Sequence, residues 1–540
     1  MTVSSKSPFT PASRLWRVVA LAITIVGALA VTSTHFAFSN TPDEPAAIAA
    51  GVQWLTTHRA PDMAQPPLAR VAAAVGPFFR GARTTQAPSL DAEGARILGK
   101  GAHYRTMLAL ARLGELPFFL MLCGVLWAWG RRLSDERGAA IAVLLAASDP
   151  SVLAYAGLAT PDIALAATVS ATLFALIVWL EDRNWYAAAA LGTFAAMAIS
   201  TDFAAVPMLV LATAAVYALC RWSRRAPTRP RQSPRWIADA QLCLTVASSL
   251  LVLWGMYGFR LGQITESSPI VVPAAEWFRG FGSYLTDSSP GRPAYLFGDL
   301  SPDGWWYYYP VALLVKTPLP LLLLAVLGAA VAIRSIVRQQ RVSAALPLVA
   351  ALAITIAVAL TGDDAGVRQV LPVLALAAVL GGVGTVALWD EGAKRPPARR
   401  LVRVTVAVIL ASAVIVPMRA HPDHLAYFNP IAGDRPELIL VDSNLDWGQD
   451  LYRLAAVMKR MRIESITVAY YGSASFDAAG VRNARPLAAA ERPTGWIAAS
   501  QTMLAGSAGN RAYEWLNELP PVGRVGASLV LYHVPERRPR

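Results

Sequence analysis

Apolar residues along this chain gather into runs of about 20 with almost no charge, separated by short stretches where arginine, proline and acidic residues concentrate. A helix of about 20 residues crosses the roughly 30 Å hydrocarbon core of a bilayer, so these runs predict membrane-spanning helices. They fall near residues 18–38, 107–130, 138–158, 162–181, 185–200, 203–221, 238–258, 306–333, 343–361, 369–389 and 401–418, about eleven spans in all. The first run follows Lys6, Arg14 and Arg17 but lacks a small-residue cleavage site before Thr41, and reads as an uncleaved span.

The loops test this division. With the N-terminus cytoplasmic, alternation puts Arg131, Arg132 and the stretches 221–235, 334–341 and 394–403 on the inner side, as the positive-inside rule requires. The same alternation puts the long loops 39–105 and 259–305, the short loop 361–368 and everything beyond 419 outside. In the first loop, 45–55 and 92–110 have helical spacing of apolar residues. Residues 305–309, two tryptophans and three tyrosines, read as an aromatic belt at the outer interface.

The pattern changes after residue 418. Segments 437–441, 465–471, 496–500 and 527–534 read as strands and 448–461 as a helix, giving a small periplasmic α/β domain over 419–540 on a membrane domain over 1–418. The fold class is therefore a polytopic α-helical membrane protein with a small C-terminal α/β domain. Composition agrees: 55% of the 540 residues are hydrophobic and 15% charged, and mean hydropathy is +0.43, too apolar for a soluble domain. The net charge of +13 sits in short loops, which argues against a nucleic-acid surface. Cys123, Cys220 and Cys243 fall in or beside spans and suggest neither disulfides nor a thiolate cluster.

Candidate chemistry lies at the outer ends of the spans. Asp43 and Glu44 follow the first span; a carboxylate there can take a proton from a hydroxyl, or can favour a helix N-terminus. Asp162 and Asp202 open later spans, where capping competes with a shared acidic cavity made with Asp43, Glu44, Asp363 and Asp364 and able to hold a divalent cation. Asp149, before Pro150, reads as a cap restarting a broken helix. Lys316 either binds a lipid phosphate or snorkels to the interface. Arg112 and Glu115, one turn apart, can pair with each other, and Arg368 can bind phosphate or anchor the interface. His421 and His424 form at most a weak metal signal.

A set of strings in order along the chain carries a resemblance: Thr41-Pro42-Asp43-Glu44-Pro45, Gln65-Pro66-Pro67-Leu68, Ala111-Arg112-Leu113, Thr160-Pro161-Asp162, the run from Tyr308 to Pro320, Arg368-Gln369-Val370-Leu371-Pro372, the run from His421 to Asn429, and the run from Asp442 to Asp450. Together they resemble the family 39 glycosyltransferases, which are similar to dolichyl-phosphate-mannose protein mannosyltransferases and, more distantly, to the aminoarabinose transferase of lipid A. The resemblance implies a type C glycosyltransferase fold, a polyprenyl-phosphate sugar donor, a protein, lipid or glycan acceptor, inversion at the anomeric carbon, and no required cofactor. It implies Asp43 as general base with Glu44 beside it and Asp162 in the same cavity, and Lys316, Arg112 and Arg368 as ligands of the donor phosphate. The chain departs from the family pattern at Gln65, Asp202 and Gln369, where cationic or histidine side chains are usual. A non-catalytic polyprenyl-phosphate-binding or transport protein on the same scaffold is the competing reading.

Overall fold

The computed structural model describes residues 11–59, 65–85, 87–222, 234–265, 270–286, 293–338, 342–362, 364–394, 396–507 and 511–535. Among these, nine helices are long and apolar enough to cross a membrane, and ten if Glu136–Ala147 and Pro150–Ala156, bent by 66°, count as one span. The bend falls where Asp149 accepts a hydrogen bond from the Val152 amide and Pro150 opens the new helix, as the Asp-Pro-Ser sequence predicts.

The run at 185–200 forms Trp185–Ile199, only 15 residues, or about 22 Å of helix. It is shorter than the candidate spans and is not counted among them. It starts just after Glu181 and Asp182, which bind Arg132, and is followed by Ser200, whose carbonyl takes the Leu68 amide of the first long loop. The expected span at 306–333 is instead two helices, Tyr308–Lys316 and Leu319–Val337, separated at Thr317-Pro318 because proline cannot continue the first. Within the bundle, Leu319–Val337 lies against Leu371–Ala393, and a Cβ on Gly328 would strike the Leu380 carbonyl. Small residues permit this backbone approach, a common device where lipid supplies no hydrophobic drive between helices.

One end of the bundle gathers basic residues: Arg132 on Glu181 and Asp182, Arg137 on Asp390, and Arg403 over the Trp389 ring. The opposite end carries the loops and the C-terminal domain. There Glu44–Thr57, Leu68–Phe79, Leu90–Leu98 and Gly101–Leu113 pack together; the last two split the helix predicted over 92–110 at Gly99 and Lys100. Two short antiparallel hairpins follow, β1 (Leu261–Gln263) with β2 (Val271–Pro273) and β3 (Ala294–Leu296) with β4 (Asp299–Ser301). The aromatic belt divides: Trp306 is exposed, whereas Tyr308 and Tyr309 are buried and bonded, to Asn444 and Gln369.

The C-terminal domain is a five-stranded sheet made of β5 (Ile466–Ala469), β6 (Ala484–Pro486), β7 (Gly495–Ser500), β8 (Gly523–Val525) and β9 (Leu529–Val534) in the order β6-β5-β7-β9-β8, parallel at β5–β6 and β5–β7 and antiparallel elsewhere. The amphipathic helix Leu451–Met461 buries Leu451, Leu454 and Met458 in a core shared with Ile466, Val468 and Leu531. The strand expected at 437–441 does not form. Pro436 removes a ladder donor, and Pro436–Leu438 makes a 3₁₀ turn.

Candidate active site

The sequence between Asp442 and Asp450 joins the two parts of the molecule. Asp446 accepts from the Gly448 and Thr502 amides, at 3.2 and 3.0 Å, closing a tight turn. Ser39, just past the first span, donates its amide to the Gln449 carbonyl and its hydroxyl to the Gly448 carbonyl, each at 3.0 Å. Asn444 accepts from the Val367 amide and donates to the Tyr308 hydroxyl, while Ser443 donates to the Ala365 carbonyl at 2.7 Å. Gly366, at φ +100°, permits this contact: a side chain there would collide with Ser443 and be strained besides. The turn therefore fixes the segment 364–368 and the end of the first span relative to the domain.

Between these pieces lies a polar cavity of about 210 Å³, lined among others by Asp43, Asp364, Arg368, Asp442, Trp447 and Tyr471. Arg368 donates to Asp43 through Nη1 at 2.8 Å and to the Ala365 carbonyl through Nε at 3.0 Å, and its guanidinium lies 4.8 Å from the centre of the Trp447 ring. Asp43 is 43% exposed in its side chain and Arg368 21%, so the pair is open to a ligand. Asp162, buried in the first turn of Asp162–Asp182, lies within electrostatic reach of both. Asp442 has φ +55°, a left-handed conformation that aspartate tolerates better than most residues. Burial pushes its carboxyl up, against the opposing pull of Arg368. Among the described lining residues the acids outnumber the single cation.

Three predicted site residues sit elsewhere. Glu44 and Arg112 are fully buried and bound bidentately, Nε to Oε1 at 2.8 Å and Nη2 to Oε2 at 2.9 Å. Arg112 also donates to the carbonyls of His35, Phe38 and Ser39, which engages all five of its N–H groups. Glu44 accepts further from the Thr41 and Ala159 amides. Burial alone would raise its carboxyl, but Arg112 and these amides hold it below the usual carboxylate range. The phosphate role implied for Arg112 has no free donor to serve it, and Arg112 does not pair with Glu115, whose buried carboxyl faces Asp162 electrostatically instead.

Lys316 neither snorkels nor faces the cavity. It is 1% exposed, donates to the Leu425 and Asn444 carbonyls at 2.7 and 2.6 Å, and lies 4.4 Å from the centre of the Phe428 ring. It thus pins the segment after the last span to the Asp442–Asp450 turn.

The proposed acidic assembly is likewise partial. Asp202 caps the Ala204 amide, Asp363 lies outside the described residues, and no three His, Cys, Asp or Glu side chains among the described residues come together as a metal-binding group. Gln65 is exposed, and Gln369 accepts from the Tyr309 hydroxyl. Asp364, named from the sequence for the acidic cavity, does line it, whereas Asp442, Trp447 and Tyr471 were not singled out as site residues. Asp442 and Trp447 stand in a quoted motif, but no spacing rule links them to Asp43, about 400 residues away.

His421 and His424 touch, Nδ1 to Nε2, at 3.4 Å. Burial, reinforced by His421, pushes His424 down from 6.5 to about 4. Between those values the unfolded chain takes up a proton that the folded protein does not, so stability is lost as pH falls through this window. His424→Gln should flatten that part of the unfolding profile, measured by thermal denaturation in detergent between pH 7 and pH 4, a range set by the about 4 and 6.5 limits. An unchanged profile would dismiss the histidine as its source.

Fold and site together describe a multi-pass membrane protein with an acidic cavity, crossed by an Asp–Arg pair, beneath a small α/β domain. Residues 109–254 match the family model described as dolichyl-phosphate-mannose-protein mannosyltransferase, in agreement with the resemblance carried by the motifs. Over that segment the chain is similar to membrane glycosyltransferases. Among solved structures, it is similar to ArnT from Cupriavidus metallidurans in the apo state, at 13% identity and TM-score 0.49 over 96% of this chain and 98% of that one. The same protein bound to undecaprenyl phosphate gives 13% and 0.48 over 96% and 97%. The oligosaccharyltransferase AglB from Archaeoglobus fulgidus, in complex with an inhibitory peptide and a dolichol-phosphate, gives 12% and 0.45 over 95% and 74%. No curated protein matches the sequence.

Proposed function

We propose that this protein is a membrane glycosyltransferase of the type C fold that moves a monosaccharide from a polyprenyl-phosphate donor to an acceptor hydroxyl on the periplasmic face of a bacterial inner membrane. The observation that carries the reading is the Asp43–Arg368 pair at 2.8 Å on the wall of the polar cavity, a base and a phosphate-binding cation side by side. The basic end of the bundle, with Arg132 and Arg137, faces the cytoplasm by the positive-inside rule, which puts the cavity and the C-terminal domain outside.

In this scheme the acceptor hydroxyl gives its proton to Asp43 as its oxygen attacks the anomeric carbon. The bond from that carbon to the phosphate oxygen breaks on the opposite face, its electron pair stays on the phosphate, and the sugar inverts. A phosphate needs no proton to leave; Arg368 stabilises the charge that develops on it. Arrival of the phosphate draws the guanidinium away from Asp43 and leaves the carboxylate available as base. Asp162, within electrostatic reach, favours the charge on Arg368, and Asp364 and Asp442 accept hydrogen bonds from sugar hydroxyls. Glu44, Arg112 and Lys316 act as positioning residues, and the scheme uses no cofactor.

The reading is tested by incubating detergent-purified protein with a panel of polyprenyl-phosphate monosaccharides and an envelope extract, and following release of the carrier phosphate by mass spectrometry. One donor should be consumed. Arg368→Gln should raise the donor KM by about tenfold or more, the loss of one charge-assisted contact. If carrier phosphate binds but no donor is consumed, the protein is a lipid-binding or transport protein instead.

A further inference from the structure

A second and larger cavity, about 430 Å³, lies between the β3–β4 hairpin and the C-terminal sheet. Tyr295 lines both this cavity and the one holding Asp43 and Arg368, so the two adjoin at this residue. It is held in that position by its hydroxyl, which donates to the Glu437 carbonyl at 3.0 Å. The volume is that of a site for a small molecule or one end of a larger one.

The lining is rich in planar polar groups. Glu437 receives Arg435 and Arg524 on Oε1, at 3.5 and 3.3 Å, while its Oε2 is buried with no hydrogen-bond partner among the described residues. Gln501 is 5% exposed, and its Nε2 is likewise buried and unpartnered. Buried polar atoms are rarely left unpaired, so a water or a ligand hydroxyl entering beside Glu437 and Gln501 would complete both. Asn517 adds an amide, and Tyr295 and Tyr532 add rings.

The chemistry narrows the ligand. A carboxylate acceptor, amide donors and guanidinium forks within one pocket suit neighbouring hydroxyl groups, each able to donate and accept, and the tyrosine rings suit the apolar face of a pyranose. Both guanidiniums are already engaged by Glu437, so an anion would have to displace a carboxylate in place, and an apolar group would leave these atoms dry and unpaired. An extended peptide needs a strand edge to pair with, and the edge strand here, β8, has three residues.

We propose that this cavity is a saccharide-binding subsite that holds the sugar portion of the acceptor beside the catalytic cavity, with Tyr295 where the two adjoin. The acceptor role rests on the transferase reading; saccharide binding does not. The sugar belongs either to a free glycan or to the head group of a lipid.

The test is ligand-observed NMR on the full-length protein in detergent, with N-acetylglucosamine disaccharide, α-linked mannobiose and a short serine-containing peptide as probes. One disaccharide should bind, and Gln501→Leu should weaken it by about tenfold. The surface variant Asn517→Ala/Arg524→Ala, which leaves the sheet intact, should weaken it as well. Asp43→Asn should bind as wild type does. Presenting the same sugar on a lipid in mixed micelles separates the two sources: tighter binding identifies a lipid head group, equal binding a free glycan. The proposal falls if neither disaccharide binds, if the peptide binds in their place, or if binding is unchanged in the Asn517/Arg524 variant. Binding without donor consumption would sink the transferase reading and leave this site standing; donor consumption without binding would do the reverse.

Discussion

Asparagine at position 43 lowers the rate of sugar transfer by about 10²- to 10⁴-fold, the usual worth of a positioned general base, and leaves carrier-lipid binding unchanged. The substitution keeps the shape of the side chain and one oxygen able to accept from Arg368, now 2.8 Å from the carboxylate. It removes the negative charge and, with it, the capacity to take a proton. The Asp43 side chain is 43% exposed and caps no helix amide, so the variant should fold and melt as wild type does. Initial rates of donor consumption, carrier binding and a thermal melt on the same preparation decide it. A rate within a few-fold of wild type would move the base elsewhere in the cavity, and Asp442 would be the next residue to change.

Methionine at position 112 destabilises the protein by about 3–5 kcal/mol, because it leaves a buried carboxylate without its cation. Glu44 is fully buried and receives two of the five hydrogen bonds that Arg112 donates. The other three tie the carbonyls of His35, Phe38 and Ser39, where the chain leaves the first span and approaches Asp43. The same loss should therefore loosen the base from its partner. Arg112→Lys should recover little, since an ammonium cannot reproduce the fork. Glu44→Leu combined with Arg112→Met should regain part of the stability, and the double-mutant cycle measures the coupling. Denaturation in mixed detergent micelles provides the free energies. If Arg112→Met instead melts normally and loses only donor affinity, the guanidinium serves the donor phosphate after all.

These two outcomes separate residues that neighbour one another in sequence. Asp43 and Glu44 have the same chemistry and the same motif, yet one opens into a cavity and the other into a buried ion pair. Where the chain enters a helix, adjacent side chains point in different directions, and only the packing of Gly101–Leu113 and of the 158–160 segment decides which of them meets an arginine. Lys316 is a parallel case. Its isolation in an apolar run marks it as special, but the run breaks at Thr317-Pro318 and the ammonium turns to the carbonyls of Leu425 and Asn444, more than 100 residues away.

The division between sequence and structure follows from the range of the forces involved. Spans, basic loops, the Asp149 cap and three of the predicted strands are local: the bilayer demands about 20 apolar residues, a cap needs an acceptor a few residues ahead of an amide, and strands alternate over a handful of positions. The sequence therefore determined the membrane class and the family resemblance, and it brought Asp43, Asp162 and Arg368 forward as residues of one site. Tertiary structure alone decided that Arg368 and Asp43 pair across 325 positions, that Arg112 and Lys316 spend their charge inside the fold, and that Asp442 and Trp447 face the same cavity. Charged groups select partners by distance in space and by the cost of burial, and neither is written in the spacing of residues along a chain.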